Sequence, residues 1–177
     1  MIASFNEFYI DKIALEDAKS THLLMVSNAK RFQRYFPQTL EDNSTEALSE
    51  TFVKSKVGKF QSKAEFLFTI KETSTNTVVG LVYIKELDWT IKQGEFAYCI
   101  DAKCGGKQLM SKAIKILSEY AFTNLGLKTL QIIAHKDNTP SIKVALNNNF
   151  KWIKTLANEF TPIGEPPLDM ELYELYK

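Results

Sequence analysis

The residues with the clearest chemical promise are Lys103-Cys104-Gly105-Gly106-Lys107-Gln108, a glycine pair set between lysines. An aromatic and β-branched run, Phe96 to Ile100, precedes them. After them Leu109, Ala113, Ile116, Leu117 and Tyr120 recur at helical spacing. The order is strand, glycine turn, helix, and such a helix start presents unpaired backbone N–H groups and the positive end of a dipole, which together suit a phosphate. The turn is neither a dinucleotide fingerprint, since Gly-x-Gly-x-x-Gly is missing, nor a Walker loop, since Gly106-Lys107 is followed by Gln108 rather than Ser or Thr. Of the two cysteines, Cys104 sits between lysines and reads as a thiol open to reaction, and Cys99 as a small hydrophobe. Neither belongs to a metal-spaced cluster, so no metal is expected. Of the two histidines, His135 ends a strand, and His22 lies in an early helix as surface or groove lining.

Around these residues the chain has the composition of a soluble globular protein, 45% hydrophobic and 24% charged over 177 residues. One domain spanning residues 1–177 is expected, large enough for a core without disulfides or metals. With 22 basic and 21 acidic residues the net charge is +1, which gives no reason to expect nucleic acid or a membrane surface as the main partner. The start, Met-Ile-Ala-Ser-Phe-Asn-Glu, lacks the pattern of a signal peptide, and the pair of unlinked cysteines fits a reducing compartment, so the expected location is cytoplasmic.

The elements that must position the turn follow from changes in hydrophobic period. Phe5 to Ile13 reads as a first strand, Leu15 to Val26 as a helix, and Ala29 to Tyr35 as a short helical piece stopped by Pro37. Asn43-Ser44-Thr45-Glu46 offers an N-cap for a helix to about Val57, with Gly58 marking its end. The period then becomes two: Glu65 to Lys71 and Thr77 to Leu87 form a hairpin through Glu72 to Asn76, and Glu95 to Ile100 follows the turn Lys92-Gln93-Gly94. Beyond the glycine turn and its helix, closed by Leu125-Gly126-Leu127, come a strand Thr129 to His135 and a helix Asn138 to about Leu146. Strands near Phe150 to Leu156 and over Leu168 to Tyr176 follow. This order predicts an α+β fold with a mixed, mostly antiparallel sheet flanked by helices.

The same order, with the residues from Glu95 to Tyr120 and from Gln131 to Phe150, resembles the GCN5-related N-acetyltransferase superfamily. Within it the chain is most similar to the branch of ribosomal-protein N-terminal acetyltransferases. The family's pyrophosphate loop, Gln/Arg-x-x-Gly-x-Gly/Ala, corresponds to Lys103 through Gln108. Gly106 matches, Lys103 replaces Arg or Gln, and Gln108 stands where a small residue is usual. Two readings of Gln108 are open: its amide donates to the cofactor, or it weakens cofactor binding. The family's Asn-x-x-Ser helix start corresponds to Asn138-Thr139-Pro140-Ser141, and Asn149-Phe150 replaces Gly-Phe. Asn is the residue next best able to adopt the left-handed backbone that glycine takes.

The resemblance implies acetyl-CoA as co-substrate, lying between splayed central strands Phe96 to Ile100 and Thr129 to Ala134. Its pantetheine meets backbone groups near Tyr98 to Ile100 and its diphosphate meets Lys103, Gly105, Gly106, Lys107, Gln108 and Leu109. Asn138 both caps its helix and meets the pantetheine. Acetyl transfer to an amine needs a base, an oxyanion donor and an acid for the leaving thiolate. The resemblance assigns the base to Glu95, directly or through water, and the acid to Ser141. His135 is the alternative base, while an ordinary strand-end carboxylate and an ordinary first-turn serine are the bland readings of Glu95 and Ser141. The aromatics Phe32, Tyr35, Phe36 and Trp89 are acceptor-side candidates or plain core. The implied acceptor is a primary amine, either a protein or peptide N-terminus or a small molecule, and the branch allows a homodimer. The competing reading is a non-catalytic acyl-CoA-binding or protein-interaction module that kept the fold.

Overall fold

The computed structural model describes residues 1–177. Eight strands form a mixed sheet in the spatial order Ala3–Phe5, Phe8–Lys12, Phe66–Glu72, Val78–Asp88, Gln93–Ile100, Thr129–His135, Leu168–Tyr176, Lys151–Phe160. The chain divides into two compact units, Met1–Tyr83 with Tyr98–Lys107, and Ile84–Ala97 with Gln108–Lys177.

In the first unit the expected strand from Phe5 is a hairpin: β1 (Ala3–Phe5) and β2 (Phe8–Lys12) pair antiparallel, with Phe5 opposite Phe8. Asn6 takes a left-handed φ of +53°, the backbone that a two-residue hairpin turn demands, and the alternation breaks there. A 3-10 turn, Leu15–Asp17, leads into α1 (Ala18–Ser27), followed by α2 (Ala29–Phe32). Pro37 both stops and starts a helix. It is the first residue of α3 (Pro37–Glu41), which the sequence reading missed, and its fixed φ suits that position.

The helix α4 (Glu46–Gln61) starts at the expected cap, where Thr45 accepts from the N–H of Leu48 at 3.2 Å. It does not end at Gly58. The cost of a mid-helix glycine, about 1 kcal/mol, is outweighed because the turn beyond it sets Phe60 edge-on to Phe66 and Phe68, at centroid distances of 4.9 and 5.3 Å. Those phenylalanines belong to β3 (Phe66–Glu72), which is buried along nearly its whole length. Its one buried cation, Lys71, meets the buried Asp17 at 2.5 Å.

β4 (Val78–Asp88) and β5 (Gln93–Ile100) run through the chain positions where the units interleave. The turn between them lies earlier than expected, at Asp88 to Lys92. Asp88 Oδ1 accepts from the N–H groups of Thr90 (2.8 Å) and Ile91 (3.2 Å), and Lys92 is left-handed. Gly94 is inside β5, where a Cβ would come within 2.9 Å of Ile84 Cγ2, so glycine serves close packing rather than a turn.

In the second unit α5 (Leu109–Thr123) buries Leu109, Met110, Ala113, Ile114, Leu117 and Ala121, and closes at a left-handed Gly126 as expected. β6 (Thr129–His135) pairs parallel with β5 only from Gln93–Thr129 to Phe96–Ile132. β5 continues to Ile100 and β6 to His135. α6 (Thr139–Asn147) leads through left-handed Asn149 to buried Phe150, whose ring meets Phe96 at 6.4 Å. β8 (Leu168–Tyr176) pairs antiparallel with β6 and with the edge strand β7 (Lys151–Phe160), which is longer than expected.

Candidate functional site

The first unit supplies the loop. Asp101 ends β5's run by donating its N–H to the Val79 carbonyl at 2.8 Å, and its Oδ1 accepts from the N–H of Lys103 at 2.8 Å. These bonds wind the 3-10 turn Ala102–Cys104, after which Gly105, Gly106 and Lys107 are exposed. Gly106 has φ +76° with no atom within 4 Å of where a Cβ would sit, so it is needed for its backbone conformation and faces open space. The side chains of Lys103 and Lys107 are likewise exposed. Cys104 differs from expectation: it is buried, and burial followed by the nearby Asp101 carboxylate pushes its thiol up, away from the reactive thiolate. Cys99 is buried too, and burial pushes its thiol up to about 12.

The second unit supplies the helix that the loop enters. Gln108 occupies the N-cap position of α5 with a left-handed backbone, φ +57° and ψ +14°, and no side chain caps the helix. The family's small residue is thereby explained: the position demands positive φ, and Gln108 takes it at a cost of about 1–2 kcal/mol. Leu109 buries its side chain, so its part in an anion site is confined to its backbone N–H.

Glu95 is the third residue of β5 rather than its first, and its side chain is only 15% exposed. Burial raises its carboxyl above the ordinary range, while Lys85, whose Nζ is 3.0 Å from Oε1, pulls it down. This is no solvated strand end. Lys85, which the sequence reading passed over, sits on β4 and carries no motif of its own. Tyr98 and Ile100 lie half-buried on β5.

At the other end of β6, Asn138 caps α6, its Oδ1 accepting from the N–H of Ser141 at 3.4 Å. The structure thus brings Asn138 and Ser141 together. His135 is buried, and its Nδ1 accepts from the N–H of Asp137 at 3.3 Å. The same nitrogen lies 3.7 Å from Asp137 Oδ2, so the backbone and the side chain of Asp137 both face it. His22 is structural, its Nδ1 lying 2.8 Å from the Asn43 carbonyl oxygen. Among the acceptor-side aromatics Phe32 is core, Tyr35 and Phe36 are half-buried, and Trp89 is exposed in the β4–β5 turn. No group of three or more His, Cys, Asp or Glu side chains could hold a metal ion, and no helix is long and apolar enough to cross a membrane.

Residues 8–151 match the acetyltransferase (GNAT) domain family. The chain belongs to that family. Among solved structures, the ribosomal-protein-S5-alanine acetyltransferase from Vibrio fischeri superposes with a TM-score of 0.92 at 16% identity, over 98% of this chain and 95% of that one. RimL, a ribosomal L7/L12 alpha-N-protein acetyltransferase in complex with coenzyme A, superposes with a TM-score of 0.89 at 17% identity, over 99% and 97%. At those identities the likeness establishes the fold. Spermidine N(1)-acetyltransferase of Escherichia coli K12 is 32% identical over 86 residues, 49% of this chain and 46% of that protein. The curated relatives are matched over only 46% to 61% of their own length. Acetyl-CoA is the family's co-substrate.

Proposed function

We propose that this chain is an acetyl-CoA-dependent N-acetyltransferase of the cytoplasm that acetylates a primary amine. The observation that carries the reading is the helix α5, which starts without a side-chain cap behind left-handed Gly106 and Gln108, with exposed Lys103 and Lys107 preceding it in the chain. Open N–H groups, a helix dipole and two cations fit a diphosphate.

Lys103, Gly105, Gly106, Lys107, Gln108 and the N–H of Leu109 hold the diphosphate, and Asn138 with the backbone of Tyr98 to Ile100 holds the pantetheine arm. Acetyl-CoA supplies an acyl carbon activated as a thioester. Glu95 takes the proton of the acceptor amine, directly or through water. A backbone N–H in Tyr98 to Ile100 donates to the carbonyl oxygen as charge gathers there. The amine nitrogen bonds to the acyl carbon and the C–S bond breaks, the Ser141 hydroxyl passing a proton to the departing sulfur and recovering one through solvent from the proton released by the amine. The acceptor is an α-amine of a protein or peptide, whose pKa of about 8 leaves part of it neutral at pH 7. A small amine is the second class, favoured by the sequence likeness to spermidine acetyltransferase.

Calorimetry with CoA, followed by thiol release from acetyl-CoA over a panel of N-terminal peptides and polyamines, tests this reading. Binding with turnover on either class supports it. Tight binding without turnover on any amine would leave the non-catalytic acyl-CoA-binding module, and absence of CoA binding would overturn both.

A further inference from the structure

Asn28 stands at the corner between α1 and α2 and is buried. Its Nδ2 donates to the carbonyl of Leu24 at 2.9 Å. Its Oδ1 accepts from the backbone N–H of Ala102 at 3.0 Å, across 74 residues of sequence. Ala102 opens the turn from which Gly105, Gly106 and Lys107 emerge. Within that turn, Cys104 N–H donates to the Asp101 carbonyl (2.9 Å) and Gly105 N–H to the Ala102 carbonyl (3.1 Å). Those bonds shape the turn without locating it. Asp101 N–H on the Val79 carbonyl ties one end to β4, and Asn28 ties it to the helical corner. One anchor leaves rotation about itself; a second, from a different element, removes it.

We propose that Asn28 is a positioning residue for the loop Lys103–Lys107, holding it from the α1–α2 corner in the orientation that receives the diphosphate of acetyl-CoA. The inference rests on the reading of that loop given above. Both polar ends of the Asn28 amide are used, and a buried amide left without a partner is destabilising. The bridge is therefore specific to an amide that reaches two backbones at once.

The test is calorimetric titration of the full chain with CoA, with thermal unfolding measured beside it. Asn28→Ala removes the acceptor. Ala102→Pro removes the donor at a place suited to proline, because Asp101 is already extended (φ −52°, ψ 136°) and Ala102 is the first residue of a helical turn. Ser49→Ala is the control: it deletes a buried donor to the Ala18 carbonyl (2.7 Å) in the same helical layer, away from the loop. Asn28→Ala and Ala102→Pro should each weaken CoA binding about tenfold, while Ser49→Ala lowers Tm and leaves CoA affinity unchanged. Wild-type affinity in either bridge variant, or an equal loss in Ser49→Ala, overturns the role of Asn28. If Asn28→Ala does not fold, Ala102→Pro alone decides. A wild-type chain that fails to bind CoA overturns the acetyl-CoA reading together with this one, whereas normal wild-type binding with unaffected variants removes Asn28 only.

Discussion

Lys85 Nζ lies 3.0 Å from Glu95 Oε1, joining neighbouring strands β4 and β5 across a carboxylate that burial has made harder to ionise. Glu95 accepts a proton only when ionised, so turnover should fall as pH drops through its raised titration. Lys85→Met removes the attraction and hydrogen bond that pull that titration down. The acidic limb of the pH–rate profile should therefore shift to higher pH, which initial rates across a pH series would show. An unmoved limb would separate the ion pair from catalysis.

Glu95→Gln keeps the shape of the side chain and removes the proposed base. Its loss in turnover should be greatest between the titration of Glu95 and about pH 8, where an α-amine still needs deprotonation, and should narrow above it. A general base contributes about 10²–10⁴-fold. Rates on an N-terminal peptide, measured from pH 6 to 9, decide whether Glu95 is that base.

Gly106→Trp should abolish CoA binding while the chain remains folded. The position is exposed and open, so the indole meets the ligand rather than the core, although the left-handed backbone adds about 1–2 kcal/mol of strain. Calorimetry with a circular dichroism check suffices. Unchanged affinity would move the diphosphate elsewhere.

Gln108→Gly should stabilise the protein by about 1 kcal/mol, because glycine adopts the observed left-handed backbone without a Cβ penalty. Urea denaturation measures this directly. CoA affinity of the same variant then separates the two readings of the side chain: it falls if the amide is a ligand and rises if the amide obstructs.

Lys71→Met should cost about 3–5 kcal/mol, since it strands Asp17 as a buried carboxylate. Adding Asp17→Leu should recover part of the loss. Recovery stays incomplete because Asp17 Oδ2 also accepts from the N–H of Ala14 at 3.0 Å. Chemical denaturation of the single and double variants gives both numbers.

Where structure is set by neighbours along the chain, the residues alone determined it. The helix following the glycine turn, β6 from Thr129 to His135 and β8 from Leu168 to Tyr176 all lie where periodicity and turn residues place them. The N-caps Thr45 and Asn138 and the left-handed Asn149 were legible for the same reason: capping and positive φ are local chemistry. Tertiary structure decided the rest. Helix α4 runs through Gly58 because Phe60 has Phe66 and Phe68 to pack on, and Gly94 sits in a strand because Ile84 crowds it. Cys104 is quiet and Glu95 perturbed because burial, which no window of sequence reports, sets the cost of their charged forms. Lys85 and Asn28 carry no motif, and each draws its meaning from a partner that only the folded chain brings within hydrogen-bond reach.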